Sequence, residues 1–250
     1  MSEIFAQETA LFGGALRLMQ PLKGHRAGTD AVLLAACVAV PRGRIADLGS
    51  STGTIGLALA QRGPDALVVL IDTDAAMLAL ARRNIALNDL GGRVSAAEAD
   101  IFSPVSRRSA QLVPSSFDLV VSNPPFFAAG RGRPSPDSAR ASAHVMAQGG
   151  LTEWIRQGAA LLRAGGRLAL IHRADALGEV LEACKGRLGG LVILPVHARE
   201  NEAAIRILAV GVKGSRAPLT LKPPLILHEG DGAFTPFAQA LHLGAAQLDL

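Results

Sequence analysis

The feature that most constrains the fold is a buried strand that two consecutive prolines bring to an end. Residues 117 to 121 (Phe-Asp-Leu-Val-Val) are mostly apolar and predict this strand. Asn123 follows, and then come Pro124 and Pro125, which cannot donate to a sheet ladder. In open α/β sheets the ligands bind beyond the carboxyl ends of the strands. We therefore expect Asn123 to lie at a ligand site.

The residues after this strand suit a flat group that carries an amine. A proline has φ near about −65° and pushes the preceding residue into the extended region, so Asn123 and the Pro124 carbonyl are held on stiff backbone. Phe126 supplies a ring that can stack on the flat group. An Asn-Pro pair also marks ordinary turns, so the motif needs a cofactor site upstream to acquire a functional meaning.

A strand, a glycine turn and a helix lie upstream. Residues 44 to 49 predict a strand that ends in Gly49, residues 50 to 53 a turn, and residues 54 to 62 a helix. In a nucleotide-type crossover of this kind, glycines let the backbone approach the ligand closely. The spacing is a poor match to the dinucleotide pattern, because no third glycine lies between Gly49 and Gly53. By itself the turn is weak evidence for a site.

An acidic residue follows the next strand, residues 66 to 71. Asp72 lies 19 residues after Gly53, close to the spacing of about 20 that is typical of an acid binding ribose hydroxyls. Asp74 suits the N-cap of a helix that runs to about residue 87. The order of strand, glycine turn and acid favours a nucleoside site.

A second acidic residue ends the third strand, residues 93 to 97. Asp100 falls at the carboxyl edge, where an acid can hold an adenine amino group. Ile101 can pack against the adenine ring. These two residues extend the predicted nucleoside site.

The amino-terminal part predicts a hairpin and a short helix. Residues 11 to 22 form the hairpin, with a glycine pair at its turn. Residues 23 to 30 are a polar loop that leads into a helix over residues 31 to 38, which Thr29 or Asp30 would cap. A ligand role for Asp30 is the equal alternative.

The carboxyl-terminal part continues the alternation of helices and strands. The strand at residues 204 to 212 follows a short turn, which predicts antiparallel insertion beside its predecessor. Residues 103 to 116 predict a polar loop, and the glycine pair at 165 and 166 predicts the end of a helix. The other predicted elements are helices at 151–162 and 176–188, strands at 167–171 and 191–196, an extended piece at 225–227 and a short helix beginning at Thr235-Pro236.

One long segment has no periodicity. Residues 128 to 150 are rich in Gly, Arg, Ser and Pro, as in a functional lid or a disordered connection. Arg131, Arg133 and Arg140 make the segment basic beside the site. Phosphate contact by these arginines is our expectation, and a solvated loop is the alternative.

Composition excludes several classes of protein. The net charge of +4 permits a nucleic-acid partner without requiring one. The longest apolar run, residues 31 to 40, is too short to span a bilayer, and no signal peptide is recognisable, so we expect a soluble cytoplasmic protein with no membrane partner. Cys37 and Cys184 read as reduced core residues. The six histidines are scattered, so we expect no metal site.

Taken together, these motifs resemble those of class I S-adenosylmethionine-dependent methyltransferases, in which Asn-Pro-Pro-aromatic marks methylation of an amino nitrogen. The chain is most similar to the subgroup that makes N6-methyladenosine beside the anticodon of valine tRNA. The motifs that carry the resemblance are Asp47-Leu48-Gly49 with Gly53, Asp72, Asp100 and Asn123-Pro124-Pro125-Phe126, and for the subgroup Arg26-Ala27-Gly28-Thr29-Asp30, Phe126-Phe127 with Gly130, and residues 200 to 203 (Glu-Asn-Glu-Ala).

The resemblance covers nearly the whole chain and implies one α/β domain, residues 1–250, with a hairpin and helix at 1–43 and a Rossmann-like core at 44–250. It implies a doubly wound, seven-stranded sheet of order 3-2-1-4-5-7-6 with strand 7 antiparallel. The implied cofactor is S-adenosylmethionine and the implied partner is tRNA, bound by a monomer or homodimer. The implied site residues are Arg26, Gly28, Thr29, Asp30, Asp47, Gly49, Ser51, Gly53, Asp72, Thr73, Asp100, Ile101 and Asn123 for the cofactor, and Asn123, Pro124, Pro125 and Phe126 for catalysis.

Three alternatives stay open. The Asn-Pro-Pro motif also occurs in enzymes that methylate guanine N2 in ribosomal RNA and in those that methylate glutamine in release factors. The latter usually carry an extra helical domain, and only about 40 residues precede the first core strand here. A non-catalytic RNA-binding relative is the third alternative, because Ser51 replaces the family's middle glycine and its Cβ could crowd the cofactor.

Overall fold

The structure is a computed structural model that describes residues 6–22, 27–38, 40–125, 149–248 and 250. Strands and helices alternate along most of this length, as the sequence predicts. The elements are β1 (Ala6–Leu11), β2 (Leu16–Pro21), α1 (Thr29–Ala36), β3 (Gly43–Leu48), α2 (Thr54–Arg62), β4 (Ala66–Asp72), α3 (Ala75–Leu87), β5 (Val94–Glu98), α4 (Pro104–Ser109), β6 (Phe117–Ser122), α5 (Gly150–Leu161), β7 (Leu162–Arg173), α6 (Leu177–Cys184), β8 (Leu188–His197), β9 (Ala204–Lys213), β10 (Thr220–Leu221), β11 (Leu225–Ile226) and α7 (Pro236–His242).

The central sheet places the strands in the order β10-β8-β9-β7-β6-β3-β4-β5, and β11 also pairs with β8. Strand β9 is antiparallel to β7 and β8, whereas the other pairings in this sheet are parallel. Numbered from β3, the strands from β5 to β8 have the order 3-2-1-4-5-7-6. The predicted insertion of an antiparallel strand at residues 204–212 is therefore confirmed.

The core lies on both faces of this sheet. Alternate residues of the central strands enter opposite apolar clusters: Val121 joins the cluster with α1, α2, α3 and α7, while Val120 joins the cluster with α5 and α6. Because both faces are covered, the strands are apolar runs rather than alternating ones. This burial on both sides explains why the strands could be predicted from composition alone.

The amino-terminal hairpin forms a sheet of its own. Strands β1 and β2 pair antiparallel, from Ala6 opposite Pro21 to Leu11 opposite Leu16. Leu16 and Leu18 are buried in the same cluster as α1 and α2. The predicted hairpin is thus confirmed, although it begins five residues earlier than expected.

The predicted cap of α1 was wrong. The helix begins at Thr29, its N-cap is Gly28, and no side chain caps it. The two residues expected to cap it are engaged elsewhere: Asp30 Oδ2 accepts a hydrogen bond from Arg206 Nε at 2.9 Å, and the Thr29 hydroxyl lies 3.3 Å from His242 Nε2. The side chains of Thr29 and Asp30, which a local rule assigns to capping, thus bond residues that are distant in the sequence.

Two further predictions were wrong. Residues 103 to 116 are not wholly a loop, because Ser103 accepts from Ser106 N at 3.2 Å and caps the short helix α4. The glycine pair at 165 and 166 does not end α5, which passes directly into β7 at residue 162. The glycines instead fall where the register between β6 and β7 shifts.

Two predicted helix caps and the two buried cysteines are confirmed. Asp74 accepts from Ala76 N at 2.9 Å and caps α3, and Thr235 accepts from Ala238 N at 3.2 Å and caps α7. Cys37 and Cys184 are free and buried, and burial raises the pKa of these thiols to about 12 and about 11. Within the described ranges, no helix has the length and apolarity to cross a bilayer.

Candidate active site

The predicted site residues converge at the carboxyl edge of four neighbouring parallel strands. Leu48, the last residue of β3, is in register with Ile71 of β4 on one side and with Ser122 of β6 on the other. Strand β5 lies beyond β4, so the residues that follow all four strands emerge at one edge of the sheet. Open α/β sheets bind their ligands at such an edge.

The turn after β3, residues 49 to 53, is fixed by backbone hydrogen bonds; we call it the glycine turn. Gly49 N and Ser50 N both donate to Ile71 O, at 2.9 and 3.0 Å, and Gly53 N donates to Ser50 O at 2.8 Å. The φ angles of Gly49 and Gly53 are +71° and +86°, in the left-handed region that favours glycine. Ser51 also has a positive φ, of 49°, which strains a residue with a Cβ.

Asp72 holds this strained conformation in place. Its Oδ2 accepts from Ser51 N at 2.7 Å, and its Oδ1 accepts from Asp74 N at 3.0 Å. Burial raises the pKa of the Asp72 carboxyl, and the backbone hydrogen bonds partly oppose that rise. Each carboxylate oxygen has a second lone pair beyond these bonds, so the acid can accept from a ligand hydroxyl as well. Thr73, next to it, is exposed.

Asp47 lies beneath the turn rather than on its surface. Its side chain is fully buried, and Oδ2 accepts from Gly56 N in the first turn of α2 at 2.8 Å. Burial raises the pKa of this carboxyl to about 7, against the lowering by that hydrogen bond. Gly56 lets α2 pack closely against β4, because a Cβ at this position would lie 2.3 Å from Leu70 Cδ2. This placement supports a role for Asp47 in holding the start of α2.

An unpredicted side chain forms the floor of the site. Trp154 of α5 donates from Nε1 to Ser122 Oγ at 3.0 Å, and Ser122 in turn donates to Leu48 O at 2.8 Å. The indole passes so close to Gly49 that a Cβ there would lie 3.4 Å from Trp154 Cζ2. The ring of Phe102 meets the indole edge-on, with 5.8 Å between centroids. The sequence gives no local signal that this helix reaches the turn.

Asp100 and Ile101 lie at the end of β5, as predicted. Asp100 Oδ1 accepts from Phe102 N at 2.9 Å, and Asp100 N donates to Ser106 Oγ at 3.0 Å. Ile101 is buried in the cluster that contains Trp154. These bonds connect Asp100 to the start of α4, the short helix that was not predicted from the sequence.

Asn123 stands out by its chemistry. Its Oδ1 is buried, and the described part of the chain offers it no hydrogen-bond partner. Pro124 is buried and Pro125 is half-buried. A buried amide oxygen without a donor is costly, so a ligand that supplies an N–H stabilises this site. Ser50 Oγ, in the glycine turn, is likewise buried without a partner among those residues.

The start of α1, which holds Gly28, Thr29 and Asp30, is bonded to β9 and α7. The Asp30–Arg206 ion pair joins α1 to β9, and Thr29 contacts α7 through His242. Seven other predicted or motif residues fall outside the described residues: Arg26, Phe126, Phe127, Gly130, Arg131, Arg133 and Arg140. In the described ranges, no group of three His, Cys, Asp or Glu side chains could hold a metal ion.

Comparison with known proteins identifies the chain as a methyltransferase. The family model described as methyltransferase small domain matches residues 26–184, and the chain belongs to that family. Its relatives include proteins named tRNA1(Val) (adenine(37)-N6)-methyltransferase. One from Porphyromonas gingivalis is 35% identical over 221 residues, with 84% of each chain covered. Another, from Pedobacter heparinus, is 29% identical over 213 residues, covering 84% of this chain and 86% of the relative.

Solved structures agree on the fold. A protein from Agrobacterium tumefaciens, described as a predicted O-methyltransferase, is 37% identical with a TM-score of 0.73, covering 88% of this chain and 99% of that one. A 16S rRNA N2 G1207 methyltransferase from T. thermophilus, solved with AdoMet and guanosine, is 20% identical with a TM-score of 0.54, covering 85% of this chain and 51% of that one.

Proposed function

We propose that this protein transfers a methyl group from S-adenosylmethionine to the N6 amine of an adenine in tRNA, the anticodon-loop adenine of valine tRNA by analogy with its relatives. The observation that carries the proposal is that Asn123 Oδ1, at the same sheet edge as the glycine turn, is buried and has no hydrogen-bond partner among the described residues. An amine N–H is the complement of that oxygen. Relatives with this substrate in their names match 84% of the chain, and a shared name over that length supports the same substrate here.

The residues present fit the cofactor. The positive φ angles of Gly49 and Gly53 turn the backbone at the carboxyl edge of β3, where the methionine end of the cofactor would lie. In the same turn, Ser50 Oγ is buried and has no hydrogen-bond partner in the part of the chain that the structure describes. Asp72 accepts from the ribose hydroxyls, and Asp100 with Ile101 holds the adenine. When bound, S-adenosylmethionine supplies an electrophilic methyl group.

The chain's own residues position the attacking nitrogen. The target adenine leaves its stack, because its N6 is otherwise out of reach. The Asn123 side-chain oxygen and the Pro124 carbonyl accept hydrogen bonds from the N6 amine, which draws the nitrogen lone pair out of conjugation with the ring. A bond forms between N6 and the methyl carbon while the bond from that carbon to sulfur breaks, and one N6 proton then leaves to water. Positioning and electrostatic stabilisation provide the rate.

Phe126 and the three arginines complete the proposal from the sequence. Phe126 stacks on the target base, and Arg131, Arg133 and Arg140 contact tRNA phosphates. Counterion release then makes the affinity for tRNA fall as salt rises, with a slope of about −0.7 to −0.9 for each phosphate contact. Filter binding of wild-type protein and an Arg131→Ala, Arg133→Ala, Arg140→Ala triple variant between 50 and 200 mM salt, roughly the range over which such contacts register, checks this. A slope that is flat in the wild type contradicts an RNA partner.

The experiment that tests the function is transfer of radiolabelled methyl from S-adenosylmethionine into tRNA, ribosomal RNA and a release factor, followed by nucleoside and residue analysis. We expect N6-methyladenosine in tRNA. N2-methylguanosine in ribosomal RNA would replace this substrate with the second candidate. That candidate has one observation in its favour: an Actinobacillus succinogenes ribosomal RNA small subunit methyltransferase C is 41% identical over 85 residues, although these cover only 34% of this chain and 22% of the relative.

The remaining outcomes each identify another class. Methylglutamine in the release factor would assign the protein to the glutamine methyltransferases. No label in any of the three, together with no heat of cofactor binding by calorimetry, would indicate a non-catalytic relative.

A further inference from the structure

Helix α3 carries two asparagines, Asn84 and Asn88, one turn apart, and both side chains bind the amino-terminal hairpin. Asn84 Oδ1 accepts from Met19 N at 2.6 Å, and its Nδ2 donates to Met19 O at 3.1 Å. Asn88 Oδ1 accepts from Arg17 N at 3.0 Å, and its Nδ2 donates to Arg17 O at 2.7 Å. Each side-chain amide thus replaces a residue of a neighbouring strand along the edge of β2.

Helix and strand geometry make this match possible. Residues four apart in an α-helix lie on one face and are about 6 Å apart along the axis. Alternate residues of a strand are about 6.6 Å apart, and they present their N–H and C=O groups to the same side. The pair Asn84 and Asn88 therefore fits the pair Met19 and Arg17. The side-chain amides close the edge of β2 that faces away from β1.

Each asparagine makes a third hydrogen bond, and the two differ in the partner of that bond. Asn84 Nδ2 also donates to Thr52 O, in the glycine turn, at 3.0 Å. Asn88 Nδ2 instead donates to Asn84 O, in its own helix, at 2.8 Å. Asn84 is fully buried, whereas Asn88 is half-buried. Of these two asparagines, Asn84 is therefore the one that joins the hairpin, α3 and the glycine turn.

This third bond fixes one peptide unit of the turn at both ends. The carbonyl of Thr52 accepts from Asn84, and the N–H of Gly53, across the same peptide bond, donates to Ser50 O at 2.8 Å. A peptide group is planar, so two such bonds define its orientation. The orientation of that group determines which backbone amides of the turn remain available to a ligand.

We propose that Asn84 is a positioning residue for methyl transfer, which orients the Thr52–Gly53 peptide of the glycine turn and couples that turn to the hairpin. This inference rests on the proposed function, because it assigns the turn to the cofactor. An ordered turn does not have to be ordered on binding, so the Asn84 bond strengthens cofactor affinity. Asn88 holds the hairpin without contacting the turn, which makes it the matched control.

The test compares Asn84→Ala with Asn88→Ala. Titration calorimetry with S-adenosylhomocysteine measures the Kd, and steady-state assays measure KM separately for S-adenosylmethionine and tRNA. We expect Asn84→Ala to raise the cofactor Kd and KM by at least ~10-fold, as for a lost buried hydrogen bond, with the KM for tRNA within about twofold of wild type. Asn88→Ala should change every one of these values by less than about threefold, because its hydrogen bonds reach the hairpin and α3 but not the turn.

Two results would overturn the inference. One is an Asn84→Ala variant with the wild-type cofactor Kd. The other is a pair of variants that weaken cofactor binding equally at equal loss of thermal stability, since that pattern would mean that both act by loosening the fold.

Amide hydrogen exchange of the unliganded wild type separates this inference from the proposed function and does not need a stable variant. Because Asn84 bonds both regions, the Met19 and Gly53 amides should open with protection factors within about threefold of one another, and S-adenosylhomocysteine should slow both. A tenfold disagreement in the unliganded protein, on the order of 1.4 kcal/mol in opening free energy, would overturn the coupling. A wild type that shows the shared opening and yet binds no cofactor would instead overturn the proposed function alone.

Discussion

Two neighbouring turns at the same edge of the sheet are built in opposite ways. In the glycine turn, Ile71, Asp72 and Asn84 hold the backbone by hydrogen bonds, and the buried Ser50 hydroxyl is the group without a partner among the described residues. In the turn after β6, the side-chain oxygen of Asn123 is buried with no partner in the described part of the chain. The backbone of the first turn is thus fixed by the protein itself, whereas the second turn retains a buried acceptor, which we propose binds the reacting amine.

The largest effect on activity should come from substitution of Asn123. Asn123→Ala should lower kcat at least ~10²-fold, since it removes an aligned transition-state group. The melting temperature should stay close to that of wild type, because no bond to a described residue is lost. Single-turnover methylation of tRNA and a thermal melt measure the two quantities. Near-normal turnover would contradict the role of Asn123.

The second largest effect, on stability, should come from the glycine turn. Gly53→Ala forces a Cβ into a backbone with φ of +86°, 2.6 Å from Leu70 Cδ1, so the free energy of unfolding should fall by about 2 kcal/mol. Gly178→Ala is the control, because Gly178 lies in α6 with open space around its Cβ position. That change should be neutral or stabilising by up to ~1 kcal/mol. Urea denaturation measures both, and equal effects would contradict the comparison.

The third prediction concerns pH. The folded-state pKa of Asp47 is about 7, above its unfolded value, so ionisation of this buried acid removes stability as pH rises from roughly 4 to 7, by at most about 1.4 kcal/mol per pH unit. His172 acts in the opposite direction, because burial lowers its folded-state pKa to about 4 and stability rises with pH up to its unfolded pKa.

Asp47→Asn isolates the contribution of the acid. Below about pH 7, denaturation curves of this variant should show a steeper rise of stability with pH than those of wild type, since the opposing contribution of Asp47 is removed while those of Asp72 and His172 remain. Identical pH profiles for the two proteins would mean that Asp47 does not titrate between those limits.

The smallest effect should come from relieving strain within the glycine turn. Ser51→Gly removes the cost of a left-handed φ but adds backbone entropy to the unfolded chain, so the net gain in unfolding free energy should be roughly 0.5–1 kcal/mol. Calorimetry with S-adenosylhomocysteine then decides what the serine does. A tighter Kd would show that its Cβ crowds the cofactor, whereas a weaker one would show that its hydroxyl binds.

The sequence predicted the local parts of this architecture well. Apolar runs located β3, β4 and β6, because strands covered on both faces are uniformly apolar, and capping rules located Asp74 and Thr235. The chemistry of Asn123 also followed from its immediate neighbours, since prolines act on adjacent backbone. The roles of these residues toward the cofactor and the base remain predictions.

Contacts between distant segments could not be predicted in this way. Trp154 reaches Ser122 across 32 residues, Asn84 reaches Met19 across 65, and Arg206 reaches Asp30 across 176. Each partner is chosen by the order of strands in the sheet and by the helix that packs over them. These partners cannot be read from a single sequence. The wrong prediction of a helix cap at Asp30, which instead bonds Arg206, is one example.

The indole beneath Gly49 also has a spectroscopic consequence. The chain contains one tryptophan and no tyrosine, and that tryptophan donates its N–H to Ser122 at the end of β6 while its ring lies under the glycine turn. The ultraviolet-excited emission of the protein therefore comes from a single fluorophore at the junction of the two turns. Ligand association can be followed in stopped-flow experiments by that intrinsic light, without an added dye or a reporter mutation.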